Sequence, residues 1–253
     1  MHIEFFTLFP QFFVSPLGSA IFLRAQDKGL VGFGIHNIRD YTHDKHHITD
    51  DYPYGGGAGM VLKPEPIFEA VEAVLLGSVP TEQRAVVLMT PQGRPFSQAV
   101  ASRLAGYDRL LFICGHYEGV DERVRTHLAT EEISLGDYVL SGGELPALAV
   151  ADAVIRLIPG VLGSAESTCE ESHAAGLLEY PQYTRPPEYR GLKVPEILLS
   201  GHHGAVAKWR HQESLRRTMI RRPDLLQVAN LSEGDRRLIV KLEAEGLAEN
   251  SGL

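Results

Sequence analysis

Cysteine is scarce: two residues, Cys114 and Cys169, in a chain of 253, too few for a disulfide framework. Long apolar runs are missing too. None approaches the roughly 20 residues of a bilayer span, so no membrane association is expected. The opening MHIEFFTLFP has no basic n-region and no small-residue cleavage site, which makes the cytoplasm the expected location. Positive charge is short overall, with 24 Lys and Arg against 32 Asp and Glu and a net charge of -8. At first sight that argues against nucleic acid. The average conceals an asymmetry: from Arg185 to Arg222 nine Lys or Arg stand against three acids, with His202, His203, His211 and the single Trp209 interleaved. Such a stretch reads as a solvated charged helix or as a nucleic-acid face.

The length suffices for one large domain or two modest ones, with a core that needs no staples. HIEFFTLF and VGFGIHNI read as strands around a helix in PLGSAIFLRAQDKG that ends at Gly29. Beyond a polar loop come the helix PEPIFEAVEAVLLG, the strand AVVLM, the helix SQAVASRLAG, the strand LLFIC, the short helix DERVRTHL and the short strand EEI. This alternation predicts an α/β domain with a mainly parallel sheet and helices on both faces. LPALAVADAVIRLIPG is an apolar helix, stopped by Pro159 and Gly160. The expected organisation is an α/β domain over 1–162, a linker over 163–177, and a small helical domain over 178–253 that holds HHGAVAKWRHQESLRRTMIRRP and SEGDRRLIVKLEAEG, the latter N-capped by Ser232.

Glycine-rich loops are the natural ligand sites of an α/β domain. GFG at Gly32–Gly34 fails the dinucleotide pattern, and YGGGAGM lacks the Lys-Ser/Thr of a phosphate loop; singly, both read as turns. TPQGRP and CGHYEGVDER follow apolar strands, and SLGDYVLSGGELP follows EEI. Together these three loops predict a small-molecule pocket in which backbone groups read a flat ligand. The third loop has no basic residue, so a ligand with adenine, ribose and an apolar linker fits better than a polyphosphate. THDKHHITDD reads as a solvated loop rather than a metal site, and Cys114 as a buried small hydrophobe. Arg156 stands four residues after Asp152, either as an i,i+4 ion pair or as a guanidinium set over a polarising carbonyl. SAESTCEESHAAG, residues 164–176, reads by composition as a linker.

DKHHITDDYPYGGGAGM, TPQGRPF, ICGHYEGVDERV, SLGDYVLSGGELPAL, RLIPGVLG, YPQYTRPPEYRG, VPEILLSGHH and WRHQESLRRTMIRRPDLL occur in this order. Taken together they resemble the bacterial tRNA guanine-N1 methyltransferases that modify the guanosine at tRNA position 37. The resemblance implies a SPOUT-type α/β domain threaded as a deep trefoil knot, a homodimer with active sites shared between subunits, S-adenosylmethionine as methyl donor, and a dependence on magnesium whose ligands the sequence does not identify. It implies a donor pocket made of Thr90, Pro91 and Gly93; of Gly115, Tyr117, Glu118 and Gly119; and of Ser134, Leu135, Gly136, Asp137, Tyr138, Val139, Leu140, Gly142, Gly143 and Pro146. Asp50, Gly57 and Gly59 would lie near the target guanine, and Lys208, Arg210, Arg216, Arg217, Arg221 and Arg222 would grip the tRNA.

The chemistry needs a base for the N1 proton and a cation for the charge that builds on O6. The resemblance assigns Arg156 to O6. For the base, the family carries Asp-Ser-Phe or Asp-Ser-His in the linker, where this chain has Glu171, Ser172 and His173. Glu171 is therefore the expected base, with Glu170 a poorer substitute. Two other readings remain open at this point: a tRNA-binding protein of the same family impaired by the Asp-to-Glu exchange, and an α/β enzyme for another nucleotide cofactor.

Overall fold

The computed structural model describes residues 1–76, 80, 83–163, 171–174 and 176–244. The chain folds as two compact units, Met1–Ser164 and Ala165–Leu253. The first unit runs β1 (His2–Thr7), α1 (Gln11–Leu17), α2 (Ala20–Asp27), β2 (Gly32–Asn37), β3 (Asp50–Asp51), β4 (Val61–Leu62), α3 (Pro64–Leu75), β5 (Arg84–Pro95), α4 (Gln98–Leu104), β6 (Arg109–Cys114), α5 (Glu122–His127), β7 (Glu131–Ser134) and α6 (Glu144–Ile155). The second holds β8 (Glu188–Tyr189), β9 (Leu192–Lys193), α7 (Glu196–Leu199), α8 (His203–Arg221), α9 (Pro223–Val228) and α10 (Glu233–Ala244).

The main sheet has the order β2-β1-β6-β5-β7, and every pairing in it is parallel. Side chains alternate across it with the two-residue strand period. Ile3, Phe5, Val87, Met89, Leu110 and Phe112 face α1, α2, α4 and α6. Phe6, Val86, Leu88, Leu111 and Ile113 face α3 and α5. Burial on both sides explains why LLFIC and AVVLM are continuous apolar runs rather than alternating ones. The expected α/β class with helices on both faces is what the chain forms.

Three expectations differ in detail. The single helix in PLGSAIFLRAQDKG is two: Phe13 and Leu17 seat α1 in the core, which starts it before Pro16, and extended Ser19 separates it from α2. α6 ends at Ile155, before Pro159, because its last turn tightens into Leu157 N–H to Val154 O (3.0 Å) and Ile158 N–H to Ile155 O (3.2 Å) bonds. GFG is not a turn but part of β2. Its Gly34 is required because a Cβ there would stand 1.8 Å from Glu4 Oε2.

Glu4, 6 % exposed, is a carboxylate buried on the sheet at that point; Arg109 Nη2 donates to its Oε1 and His36 Nε2 lies beside its Oε2, each at 2.9 Å. Burial pushes its carboxyl up, but the hydrogen bonds and charges of His36 and Arg109 outweigh this and hold it below its ordinary 4.5. Because the folded-state pKa is depressed, the contribution is complete above the unfolded value and fades as pH falls through the folded one. Glu4→Ala should cost about 3 kcal/mol at neutral pH, the low end for breaking a buried pair. In urea unfolding, that gap between wild type and variant should narrow below about pH 4.5; a gap independent of pH would refute the ion-pair account.

Candidate active site

Because β5, β6 and β7 run parallel, their carboxyl ends open on one side of the sheet, and the three glycine loops converge there around a cavity of about 330 Å³. The first loop is an excursion from β5. Met89 and Arg94 both pair with Ile133, so the four residues between them, Thr90–Gly93, leave the ladder. Thr90, Pro91 and Gln92 line the cavity. Gly93 does not: a Cβ there would lie 2.5 Å from Ile133 N, so its glycine serves the close return of β5 onto β7.

The second loop turns back on itself. Gly119 N–H donates to His116 O (3.0 Å), and Tyr117 and Gly119 take φ values of 59° and 113°, a region in which glycine is at ease and tyrosine is strained. Gly115, Tyr117, Glu118 and Gly119 all line the cavity. In the third loop Ser134 Oγ donates to Gly136 O (3.0 Å), which folds Leu135 and Gly136 over the cavity. Tyr138, Val139 and Leu140 continue the wall, and Gly142, Gly143 and Pro146 close it at the start of α6. Asp137 is exposed and off the cavity. So the structure brings together every residue expected around the donor except Gly93 and Asp137.

The seam between the second and third loops is made of backbone. Gly143 N–H donates to Gly115 O at 2.9 Å, and a Cβ on Gly143 would stand 2.7 Å from Cys114 Cα. Below it, Thr7 Oγ1 donates to the buried Glu144 Oε1 at 2.7 Å, tying β1 to the first turn of α6, where a carboxylate suits the helix dipole. Cys114 is fully buried. Desolvation first, then the Glu144 charge, pushes its thiol well above the ordinary value, so it is no nucleophile.

Several cavity residues lay outside the expectation. Gln92, His116 and Ser141 sit within the three loops, where their backbone neighbours carry the stronger signal. Glu122 and Arg125 come from α5; Arg125 is fixed by Glu122 and, at 3.1 Å, by Glu132, and only tertiary structure aims it at the cavity. Against the second loop lies the glycine loop between β3 and β4. Leu62 N–H donates to Gly119 O (2.9 Å) and Glu118 N–H to Met60 O (3.1 Å), and a Cβ on Gly59 would strike the Glu118 side chain at 2.4 Å. Asp50, paired with Leu62, and exposed Gly57 therefore belong to a segment fastened to the cavity rim.

Arg156 is the C-cap of α6 and does not line the cavity. Ten residues separate it from Pro146, about 15 Å of helix. Asp152 beside it is half-buried; desolvation pushes its carboxyl up and the Arg156 charge pulls it down.

Glu171 belongs to the second unit, in a turn where Ala174 N–H donates to Glu171 O (3.1 Å) and Glu179 N–H to Ser172 Oγ (3.0 Å). Glu170 and Cys169 lie outside the described residues. Leu178, a few residues on, is fixed to α8 by Leu178 N–H to Thr218 Oγ1 at 2.9 Å. On α8, Lys208 and Arg221 are exposed, Arg216 faces Glu213 at 3.5 Å, and Arg217 reaches Glu179 O. Arg210 stacks over Tyr180, and Arg222, the C-cap, pairs with Asp224 at 2.7 Å.

A parallel sheet whose glycine loops meet around a cavity at its carboxyl edge, followed in the chain by a helical unit with a basic stretch over Arg185–Arg222, is the architecture of an α/β protein that binds a small molecule. Comparison with known proteins narrows the class. Residues 1–228 match the family described as tRNA (Guanine-1)-methyltransferase TrmD, and the chain belongs to that family. It is 61 % identical over 245 residues to a tRNA (guanine-N(1)-)-methyltransferase of Dehalococcoides mccartyi, covering 97 % of this chain and 98 % of that one. The proteins of the same name from Pelotomaculum thermopropionicum and Bacillus subtilis are 58 % and 56 % identical, over 96 % and 97 % of this chain and 97 % and 100 % of theirs.

Proposed function

We propose that this chain transfers a methyl group from S-adenosylmethionine to N1 of the guanosine at position 37 of tRNA. Membership of the family over residues 1–228 carries the reading, and the cavity fits the donor. Its lining mixes loop glycines with larger side chains such as Tyr117, Leu135, Tyr138 and Leu140, and Gly142 and Gly143 let the third loop lie against the end of β6, where a Cβ would strike His116 and Cys114. Thr90, Gly115, Leu135, Tyr138 and Leu140 would hold the adenosine and its tail. The bound donor supplies an electrophilic methyl on a sulfonium. The chain's own part is to orient guanine, to remove its N1 proton and to offset charge on O6. Glu171 is assigned the proton and Arg156 the O6 charge. Nothing in the comparisons supports an inactive tRNA-binding protein: the relatives at 53–61 % identity bear the enzyme's name.

The assembly is part of the proposal. Arg156 stands at the far end of α6 from the cavity, so a site that uses both takes one from each of two subunits. Phe9 and Phe12 (both 42 % exposed), Val14 (58 %) and Leu23 (42 %) are exposed apolar side chains of the first unit that a second copy would cover. In this reading residues 1–162 bind the donor, 163–177 connect and carry Glu171, and 178–253 grip the tRNA. The trefoil threading is supported by the return of Gly142–Gly143 across the end of β6. A cytoplasmic location agrees with a tRNA substrate; among the described residues no helix is long and apolar enough to cross a membrane. Magnesium dependence belongs to the same reading, but no group of three His, Cys, Asp or Glu stands together among the described residues, and no residue is assigned to hold the ion.

Incubation with S-adenosylmethionine and unmodified tRNA should give 1-methylguanosine on digestion and mass spectrometry, and none when position 37 is adenosine. Absence of product at every enzyme concentration would overturn the assignment.

A further inference from the structure

We propose that the second unit carries a pocket for one unstacked nucleotide of the RNA substrate, walled by Tyr180, Tyr183 and Arg210. The idea rests on the tRNA reading above and adds a recognition site to it. The pocket, about 470 Å³, is formed by residues between Tyr180 and Arg210 alone. Its lining combines apolar side chains, Pro181, Val194, Leu198 and Val206 among them, with the two tyrosines, Arg185 and Arg210. Among the described residues that line it, none is acidic.

Two guanidinium groups without a carboxylate favour an anion, while tyrosine rings among apolar side chains favour a flat aromatic group. A nucleobase with its phosphate satisfies both. Arg210 strengthens the case. Its guanidinium lies 4.8 Å over the Tyr180 ring and its Nε is buried with no hydrogen-bond partner, so the group keeps unsatisfied donor capacity. The wall is preformed. Ser214 Oγ donates to Leu178 O and Thr218 Oγ1 accepts from Leu178 N–H, so the segment entering Tyr180 is laid along α8. Val206 and Arg210, four residues apart on α8, share the face that looks into the pocket.

The chain's single tryptophan, Trp209, lies 6.5 Å from the Tyr183 ring between centroids and reports on the pocket directly. The intact protein, saturated with S-adenosylhomocysteine, would be titrated with each nucleoside 5′-monophosphate, with ribose 5-phosphate and inorganic phosphate as controls. A saturable fluorescence change with at least one nucleotide is expected. It should weaken about tenfold or more in Tyr183→Ala and in Arg210→Gln and persist in Tyr183→Phe, which keeps the ring. In the methylation assay Tyr183→Ala should raise the KM for tRNA by a similar factor. No response to any nucleotide at millimolar concentration refutes the pocket, as does a response that survives both losses. An equal response to ribose phosphate would reduce it to an anion site, and a response to proline-rich peptides alone would make it a protein contact; either outcome overturns the proposal. Wild type that makes 1-methylguanosine without a nucleotide response refutes the pocket alone, whereas failure to make product refutes the reaction.

Discussion

Glu171→Gln is expected to lower single-turnover methylation by about 10² to 10⁴-fold, the range of a positioned general base, while leaving the affinity for S-adenosylmethionine unchanged. N1 of guanine carries a proton at neutral pH and its lone pair is delocalised, so attack on the methyl carbon is slow unless that proton leaves as the new bond forms. Glutamine has the same size and polarity but cannot accept it. The three loops proposed to bind the donor lie in the first unit and Glu171 in the second, which is why donor binding should not respond. Equilibrium dialysis and rapid-quench kinetics on the same preparations separate the two effects. Glu171→Asp tests the reach of the side chain: if the backbone turn at Glu171–Ala174 is placed for the longer arm, shortening it also costs activity, since about 1 Å of misplacement can cost on the order of a hundredfold. Retention of wild-type rates by the glutamine variant would move the base elsewhere.

Gly143→Ala should be as damaging for a different reason. Gly143 has an ordinary φ of -82°, so backbone strain plays no part. A methyl group would stand 2.7 Å from Cys114 Cα and 3.0 Å from Gly115 N, and neither is a flexible side-chain end that can swing away. The second and third donor loops must then separate, breaking the Gly143 N–H to Gly115 O bond. Overpacking of this kind costs about 1–3 kcal/mol, a fall of roughly 2–10 °C in Tm for a domain of this size. A donor read by backbone should lose about tenfold or more in affinity, since 1.4 kcal/mol is a factor of ten. Calorimetry with and without donor checks both; unchanged donor affinity would show that the seam is not part of the pocket. Gly163→Ala, at a glycine whose Cβ would meet nothing within 4 Å, is the control.

The alternation of apolar runs and helical patterns was enough to read the α/β class, because LLFIC and AVVLM are buried on both faces and carry no competing signal. Strand order was not legible. Nothing in the local pattern says that β6 lies between β1 and β5, or that the third loop returns across the end of β6. The cavity was legible as three loops because glycine and turn residues mark the places where backbone approaches something closely. What glycine approaches is another matter: Gly93 meets the backbone of β7, and Gly34 meets Glu4. Arg125 was missed because its cavity position comes from packing, and His116 because the glycines beside it carry the stronger signal. Glu171 had no signal beyond small polar neighbours, and only the likeness of whole blocks to a family singled it out.

α6 joins the third cavity loop at Gly143 to Arg156, and it is apolar along nearly its whole length. Such a helix works as a ruler with a phase. Deleting one residue would shorten it by about 1.5 Å and turn Arg156 through about 100°, sending the guanidinium to another side of the helix while leaving every apolar contact type available. Its length in residues is therefore more constrained than their identity. Volume-conserving exchange, such as Leu148→Met or Ile155→Leu, should be tolerated along α6 where no insertion or deletion would be.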